Sequence, residues 1–413
     1  MSRAPDYIAT LVRRFDGDVF DARKRRTRIR LVVDKASAWD VLVNDGRVAL
    51  DTASGDADAM LSADEQTWAE IAGDVRRGMN AYTAGRLVVR RNLHVGVGFL
   101  AATSGDTEPG RLTFRTVTTR SAKLSTLEAG TGTPVLALHG LGGTKGSFLP
   151  TVAALADRDR FRVIALDLPG FGDSDKPIRA SYDARYFADS VVDLLDALEL
   201  ERAHLIGNSL GGRVALETAL CYPDRVGRLA LLAPSLAWRR DRPMLSFLRL
   251  TQPKLGLVHM APRPVVEAIV HRLIPNADKG WTAAGVDEFL RAYLSRTGRA
   301  AFYAAARHIY IEEPHGETGF WTRLPALEAD ALFVWGLRDR LVPIAFARHV
   351  EQALPHAKHV EIDCGHVPQV ERPRRTHAAV GEFLSARRGL RRRPRFAQDD
   401  RAQRDARTRA ALR

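Results

Sequence analysis

The sequence predicts an α/β protein: a doubly wound, mainly parallel sheet with a helical cap, preceded by a small α+β domain. From about residue 112 onward, short apolar runs typical of buried strands alternate with segments whose apolar residues have helical spacing. Such alternation favours a parallel sheet covered by helices on both faces. Before it, a polar break with Gly and Pro over Thr103–Gly110 ends a region of different pattern.

That first region, residues 1–103, is predicted to be the small α+β domain. Asn44-Asp45-Gly46 stands between two alternating runs and is typical of a tight hairpin. Ser62 precedes a helical pattern and is the expected N-cap of the first helix. The expected strands are Arg28–Val33, Ala38–Val43, Gly46–Leu50, Asp58–Leu61 and Arg86–Val89, and the expected helices are Ala63–Ile71, Val75–Tyr82 and Leu93–Ala102.

The second region, residues 111–388, contains the predicted parallel sheet, with Tyr182–Leu200 as one crossover helix. Between a strand end at Pro234 and the next strand near Ala331 lie roughly 95 residues, far more than a crossover needs. We expect the excess, about residues 236–324, to form a mostly helical cap over one end of the sheet. Its apolar residues, Phe289 and Tyr293 among them, are either cap core or pocket wall.

A candidate nucleophile lies in Gly207-Asn208-Ser209-Leu210-Gly211, between an apolar run and an alanine-rich helical pattern. A strand–turn–helix elbow needs small residues two positions before and two positions after the serine, because strand and helix approach closely there. The motif also occurs by chance in surface turns, so its context decides the interpretation. The pattern predicts that Ser209 Oγ stands exposed at the end of the sheet.

Two further candidates follow Ser209 in the order Ser, Asp, His. Asp339 lies three residues beyond the apolar run Ala331–Gly336, and His366 follows the run Lys358–Asp363. A serine hydroxyl needs an imidazole to take its proton, and the imidazole needs a carboxylate to hold its tautomer. The alternative for Asp339 is a surface ion pair with a neighbouring arginine, and the alternative for His366 is a capping role.

The apolar run Pro134–Leu138 ends in the glycine-rich turn His139–Gly143. We expect this turn to present the backbone N–H of Leu141 to a developing oxyanion, with a second N–H from Leu210. His139 is expected to be a structural hydrogen-bonding residue. A phosphate-binding turn is the alternative, but neither G-x-x-x-x-G-K-[ST] nor G-x-G-x-x-G occurs here.

From about Leu112 to about Arg387 the chain resembles the α/β-hydrolase superfamily. The matching motifs, in order, are LHGLGG at 138–143, DLPGFGDSDKP at 167–177, GNSLGG at 207–212, WGLRDRLVP at 335–343 and DCGHVPQVERP at 363–373. The resemblance implies a hydrolase with Ser209, Asp339 and His366 as catalytic triad. It also implies that Asp167, Asp173 and Asp175 belong to a structural turn.

Residues 1–103 resemble the sterol carrier protein type 2 family in WDVLVNDG at 39–46, ADAMLSADEQTWAEIAGD at 57–74 and AYTAGRLVVRRNLHVGVGFLAA at 81–102. This resemblance implies a five-stranded sheet with helices that cover an apolar groove for lipid-like molecules. Where many relatives have a glycine after the last strand, this chain has Arg90-Arg91-Asn92. The alternative is therefore a degenerate domain that only packs on the hydrolase.

Composition sets the broad class. The chain has 413 residues, of which 45% are hydrophobic, and its N-terminus lacks the apolar core of a secretory signal. No window approaches 18 uninterrupted apolar residues, so no membrane span is expected. Cys221 and Cys364 are the only cysteines, which predicts no disulfide framework and favours a cytoplasmic location.

The net charge of +13 is concentrated at the C-terminus, where residues 387–413 hold eleven Arg and three Asp. The segment 389–413 is predicted to be a basic, disordered tail. It is either a solvated tail or a segment that makes weak electrostatic contact with an anionic membrane surface or with nucleic acid. No helix-turn-helix, zinc-ligand spacing or aromatic ribonucleoprotein motif occurs, so no specific nucleic-acid partner is expected.

These observations predict a serine hydrolase that cleaves an ester or a related acyl bond of a small hydrophobic substrate. The chemistry implies no metal and no organic cofactor. Two alternatives stay open: a carbon–carbon bond hydrolase that uses the same triad, and a non-catalytic lipid-binding or transfer protein built on the same scaffold. The sequence leaves the oligomeric state open.

Overall fold

The structure is a computed structural model that describes residues 4–21, 24–75, 77–105, 112–156, 160–238, 264–265, 268 and 281–386. The predicted tail, 389–413, lies outside the described residues, and so does most of the cap between 239 and 280. Residues 106–111, within the predicted domain break, also lie outside them. Within the described ranges, no helix has both the length and the apolar character that crossing a membrane requires.

The N-terminal region folds around a five-stranded sheet in the order β3-β2-β1-β4-β5. β1 pairs parallel with β4, and the other neighbouring strands pair antiparallel. In β1 every second residue is buried, which is the pattern of a strand with one face on a core. The strands are β1 (Arg26–Val33), β2 (Ser37–Asn44), β3 (Arg47–Thr52), β4 (Ala59–Ala63) and β5 (Val88–Arg90).

The predicted hairpin joins β2 to β3. Asp45 and Gly46 have φ values of 46° and 77°, and Asn44 pairs with Arg47 across the turn. Two central residues with positive φ suit the right-handed twist of the flanking strands. The hairpin prediction is therefore confirmed.

Among the described residues of this region, four helices accompany the sheet: α1 (Asp6–Arg13), α2 (Glu65–Gly73), α3 (Arg77–Thr83) and α4 (Leu93–Ala102). The prediction that Ser62 caps α2 is wrong. Ser62 lies in β4, where it pairs with Val32 and Val88, and Asp64 is the cap that accepts a hydrogen bond from Thr67 N at 2.7 Å. Because β4 is hydrogen-bonded to β1 on one side and to β5 on the other, it continues beyond the residue at which the sequence pattern predicted its end. Helix α1 was not predicted.

The second sheet has eight strands in the order β13-β12-β11-β10-β8-β9-β7-β6. Every pair from β13 to β9 is parallel, and only β7 runs antiparallel to both of its neighbours. The predicted fold class is confirmed. The strands are β6 (Thr113–Thr118), β7 (Lys123–Ala129), β8 (Thr133–Leu138), β9 (Phe161–Leu166), β10 (Ala203–Asn208), β11 (Val226–Leu232), β12 (Ala331–Gly336) and β13 (Lys358–Ile362).

Helices cover this sheet, and the crossover predicted over Tyr182–Leu200 is α6. The part of the predicted cap that the structure describes after residue 280 is helical, in α8, α9 and α10. The helices are α5 (Leu149–Ala156), α6 (Ala184–Ala197), α7 (Leu210–Cys221), α8 (Trp281–Tyr293), α9 (Arg296–Ile311), α10 (Phe320–Arg323), α11 (Ala347–Ala353), α12 (Pro368–Glu371) and α13 (Pro373–Ser385), with 3-10 turns at Lys145–Phe148, Pro223–Arg225, Leu324–Ala326 and Ile344–Phe346.

The two sheets share a core through α4. All ten residues of this helix are buried, as expected for a helix that is apolar on every face. It packs on β4 and β5 of the first sheet and on β6 of the second. One cluster of buried apolar side chains surrounds this helix, and its members come from both regions, the first being Ile8 and the last Leu384.

Candidate active site

Ser209 occupies a strained turn between β10 and α7. Its backbone has φ 52° and ψ −115°, in a region that residues with a Cβ rarely adopt. A Cβ on Gly207 would lie 2.3 Å from the carbonyl oxygen of Gly211, and a Cβ on Gly211 would lie 2.0 Å from that of Leu138. The two glycines are thus required for the close approach of strand and helix, as the sequence pattern predicted.

Asp339 and His366 meet beyond the ends of β12 and β13. His366 Nδ1 donates a hydrogen bond of 2.7 Å to Asp339 Oδ2. The side chain of Asp339 is completely buried and that of His366 is 16% exposed. With its Nδ1 proton directed at the carboxylate, the imidazole keeps Nε2 as its basic nitrogen.

The other carboxylate oxygen of Asp339 is held by its own loop. Oδ1 accepts hydrogen bonds from the backbone N–H groups of Leu341 at 2.8 Å and Val342 at 3.0 Å. The neighbouring Arg338 forms its ion pair with Asp363 instead, at 2.8 Å. These contacts orient Asp339 toward His366 and account for both of its oxygens.

Asn208 connects the Ser209 turn to the His366 loop. Its Nδ2 donates to the carbonyl oxygen of Leu232 at 2.9 Å and to that of His366 at 3.0 Å. Ser209 N also donates to Leu232 O, at 3.1 Å. The turn, the end of β11 and the loop that carries the imidazole are therefore held together by one buried amide.

Glu371 holds the His366 loop from its other side. Its carboxylate accepts from Gly365 N at 2.7 Å and from Val367 N at 3.0 Å, so both amides that flank His366 are bound. Neither Asn208 nor Glu371 was predicted from the sequence. An acidic residue in the first turn after Val367-Pro368 was the one local signal, because such residues bind free amides at helix starts.

The glycine-rich turn after β8 lies beside Ser209. Gly143 N donates to Gly140 O at 2.9 Å, and Gly142 has φ 73°, which closes a tight turn with Leu141 at its second position. A Cβ on Gly140 would lie 3.2 Å from Ser209 Cβ. The structure therefore brings the predicted oxyanion turn against the candidate nucleophile.

Leu210 is the first residue of α7, directly after Ser209. The first-turn amides of a helix have no partner within the helix, and the helix dipole adds partial positive charge there. Leu210 and the turn that contains Leu141 lie on two elements next to Ser209, and the role of their N–H groups in stabilising negative charge stays a prediction.

His139 has the structural place that the sequence predicted. It is completely buried, its Nε2 accepts from Leu168 N at 3.0 Å, and its Nδ1 donates to Gly140 O at 2.8 Å. Burial lowers the pKa of His139, which favours the neutral imidazole that this bonding pattern requires. Both ring nitrogens are occupied in holding the turn, so His139 has no second role as a base.

Two aromatic rings, Phe289 from α8 and Phe302 from α9, lie against the turn at Gly142. Phe289 and Phe302 are the side chains closest to Gly142, and their ring centroids are 5.6 Å apart. Tyr293 stacks on Phe289 at 5.2 Å, and its hydroxyl is 2.9 Å from that of Tyr303. Phe289 and Tyr293, left open between cap core and pocket wall, thus belong to one aromatic cluster, in which Phe289 lies on the turn and Tyr293 packs behind it.

Within the described ranges, no group of three or more His, Cys, Asp or Glu side chains could hold a metal ion. Cys364, two residues before His366, is buried, and burial raises the pKa of its thiol to about 12. A thiol with so high a pKa is a packing residue at neutral pH.

Comparison with known proteins places this geometry in a family. A family model described as the alpha/beta hydrolase fold matches residues 133–254. The chain is 31% identical over 264 residues to the 2-hydroxy-6-oxononadienedioate/2-hydroxy-6-oxononatrienedioate hydrolase of Burkholderia vietnamiensis, across 62% of this chain and 89% of that protein.

Solved structures of hydrolases superpose on this chain. A bacterial membrane phospholipase A superposes with a TM-score of 0.54 at 30% identity, over 66% of this chain and 86% of that one. An esterase from Thermogutta terrifontis superposes with a TM-score of 0.54 at 27% identity, over 66% of this chain and 98% of that one. From these matches, together with the sheet order and the turn at Ser209, the chain belongs to the α/β-hydrolase superfamily and is a hydrolase.

Proposed function

We propose that the protein is a serine hydrolase that cleaves an ester or a related acyl bond of a hydrophobic substrate. The observation that carries the proposal is the 2.7 Å hydrogen bond from His366 Nδ1 to Asp339 Oδ2, on a loop that Asn208 fastens to the Ser209 turn. Ser209 is the nucleophile, His366 the general base and Asp339 the residue that holds the imidazole tautomer.

The reaction has two halves. Ser209 Oγ attacks the carbonyl carbon while its proton passes to His366 Nε2, and the Leu141 and Leu210 amides bind the oxyanion. The intermediate collapses, the bond to the leaving alcohol breaks, and His366 gives that alcohol its proton. Water then attacks the acyl group with His366 again as base, which releases the acid and restores the Ser209 hydroxyl.

The substrate class is inferred from the cap. The rings of Phe289 and Phe302 lie next to the turn proposed to receive the oxyanion, and Tyr293 packs on both rings. Apolar walls beside the reacting carbonyl favour an acyl group of hydrophobic character, since each buried methylene contributes about 0.8 kcal/mol.

A carbon–carbon bond hydrolase is the second candidate, favoured by the relative from Burkholderia and by a 29% identical 2-hydroxy-6-oxo-6-phenylhexa-2,4-dienoate hydrolase of Comamonas testosteroni. The same residues serve both reactions. In the second, the attacked carbonyl is a ketone, the bond that breaks joins it to carbon, and the departing carbon takes the proton that an alcohol takes in ester cleavage.

The test compares wild type with Ser209→Ala. We expect a fluorophosphonate probe to label wild type only, and kcat on p-nitrophenyl esters to fall on the order of 10⁴- to 10⁶-fold in the variant. The esters run from acetyl to dodecanoyl, and 2-hydroxy-6-oxo-6-phenylhexa-2,4-dienoate is assayed beside them. A higher kcat/KM on the dienoate selects the second candidate. Absence of labelling and of turnover in wild type overturns both.

A further inference from the structure

The cap helix α8 is bound to the N-terminal domain through Asp287. Arg90 Nε and Nη2 donate to the two carboxylate oxygens of Asp287 at 2.7 and 3.1 Å, and Arg91 N donates to it at 2.9 Å. The Asp287 side chain is 11% exposed. Paired donors from a guanidinium fix both the distance and the orientation of a carboxylate. The end of β5 thus sets the position of this helix.

The next residue of α8, Glu288, makes a second link. Its Oε1 accepts from Leu93 N, the first residue of α4, at 2.7 Å, and its Oε2 accepts from Arg291 Nη2 at 2.7 Å. Arg291 also donates to both oxygens of Asp173, at 2.8 and 3.2 Å. Lys145 and Arg291 outweigh the effect of burial and hold the pKa of Asp173 far below its usual range.

Phe289, which follows Asp287 and Glu288 in α8, lies against the glycine-rich turn after β8. Successive helical residues are about 100° apart around the axis, and Phe289 accordingly leaves the helix on another side. A Cβ on Gly142 would lie 2.7 Å from two ring atoms of Phe289. Helix α8, which Arg90 binds through Asp287, therefore places the Phe289 ring against the turn that contains Leu141.

The N-terminal domain also contacts the segment just after that turn. A Cβ on Gly146 would lie 2.5 Å from a methyl carbon of Leu93. Lys145, beside it, is buried with its Nζ at 2.7 Å from Asp167 and 3.3 Å from Asp173. Leu93 thus contacts Gly146 directly, while Arg90 acts on the turn through α8.

We infer that the N-terminal domain is a positioning element of the active site: Arg90, through Asp287 and α8, keeps Phe289 on Gly142 and so holds the Leu141 amide in place. The inference rests on the proposed function, because it assigns the turn a role in binding the oxyanion. Arg90 and Asp287 are positioning residues and touch no reacting atom. A misplacement of about 1 Å in such a site costs about 100-fold in rate.

This role differs from lipid carriage by the same domain. The cavity between Leu93, Phe114 and Lys145 at the seam of the two sheets has a volume of about 10 Å³. A cavity of this size has room for about one water molecule and none for a lipid-like ligand. The ion pair between Arg90 and Asp287 joins the two regions, and such contacts fix one element on another.

The experiment uses the full chain with Arg90→Ala, Arg90→Lys and Asp287→Asn, and with Arg86→Ala as matched control. Arg86 and Arg90 have the same side-chain exposure, 42%, but Arg86 pairs with Glu70 inside the N-terminal domain. The readouts are kcat and KM on p-nitrophenyl acetate and hydrogen exchange in peptides that cover 139–148 and 281–293.

We expect Arg90→Ala and Asp287→Asn to lower kcat about ten-fold with little change in KM, because the oxyanion is bound more strongly than the ground-state carbonyl. Exchange in both peptides should quicken. Arg90→Lys should recover part of kcat, a double variant that combines Arg90→Ala with Asp287→Asn should match the single ones, and Arg86→Ala should match wild type.

Three outcomes overturn the inference: unchanged kcat while 281–293 exchanges faster, faster exchange that does not reach 139–148, or an equal effect of Arg86→Ala. If Arg90→Ala fails to fold, Asp287→Asn carries the same comparison, since the amide retains the shape of the carboxylate. If wild type hydrolyses no ester, the proposed function fails, and the exchange of 139–148 still decides whether Arg90 holds the turn.

Discussion

Asn208 Nδ2 donates a hydrogen bond of 3.0 Å to the backbone carbonyl of His366, across 158 positions of sequence. Asn208, the residue before Ser209, thus fixes the position of the loop that carries His366. Since the same amide also binds Leu232 O, the separation between the Ser209 turn and the imidazole depends on a side chain that takes no part in the reaction.

We predict that Asn208→Ala and Asn208→Asp both lower kcat by about 10- to 100-fold, because neither side chain can donate to His366 O. The His366 carbonyl is left without a donor, whereas Leu232 O keeps that of Ser209 N, and this loss should reduce the free energy of unfolding by about 1–3 kcal/mol. Steady-state kinetics and urea denaturation measure the two effects. Wild-type kcat in Asn208→Asp would show that this hydrogen bond does not position the base.

We predict that kcat depends on how many hydrogen-bond acceptors the side chain at position 371 offers to the His366 loop. Glu371→Ala leaves the amides of Gly365 and Val367 without their acceptor, whereas Glu371→Gln retains one oxygen. We expect kcat to fall in the order wild type, Gln, Ala, with a stability loss of about 0.5–1.5 kcal/mol in the Ala variant because the site is exposed. Equal kcat in all three proteins would contradict the assignment.

His377 should make stability depend on pH. Burial lowers its pKa to about 4, and its Nε2 lies 2.9 Å from Thr151 Oγ1. Between about pH 4 and the unfolded value of 6.5 the unfolded chain binds the extra proton, so the free energy of unfolding rises with pH in that window. The contribution is complete above pH 6.5 and is lost as pH falls toward 4.

The size of this contribution is on the order of 3 kcal/mol, at 1.36 kcal/mol for each pKa unit. His377→Gln should therefore show a shallower rise in the free energy of unfolding between pH 4 and 6.5. Urea denaturation at several pH values in that window tests the prediction. The same slope in variant and wild type would assign the acid sensitivity to other groups.

Sequence alone predicted the parts of this protein that depend on near neighbours. Ser209 was found because Gly207 and Gly211 are required by a turn of five residues, and the hairpin at Asp45 because two positive φ values need Asp-Gly. Helix α4 was predicted with its observed bounds, Leu93–Ala102, because the segment is mostly apolar, and in the structure Asn92 caps it by accepting from Val95 N.

Tertiary structure decided what depends on distant residues. Ser62 became a strand residue because β1 and β5 pair with it, and Arg90 meets Asp287 across 197 positions of sequence. Asn208 finds His366 O only after β10 and β13 have taken their places in one sheet. Periodicity and turn chemistry act within a few residues, whereas these contacts exist only where folding brings separate segments to hydrogen-bonding distance.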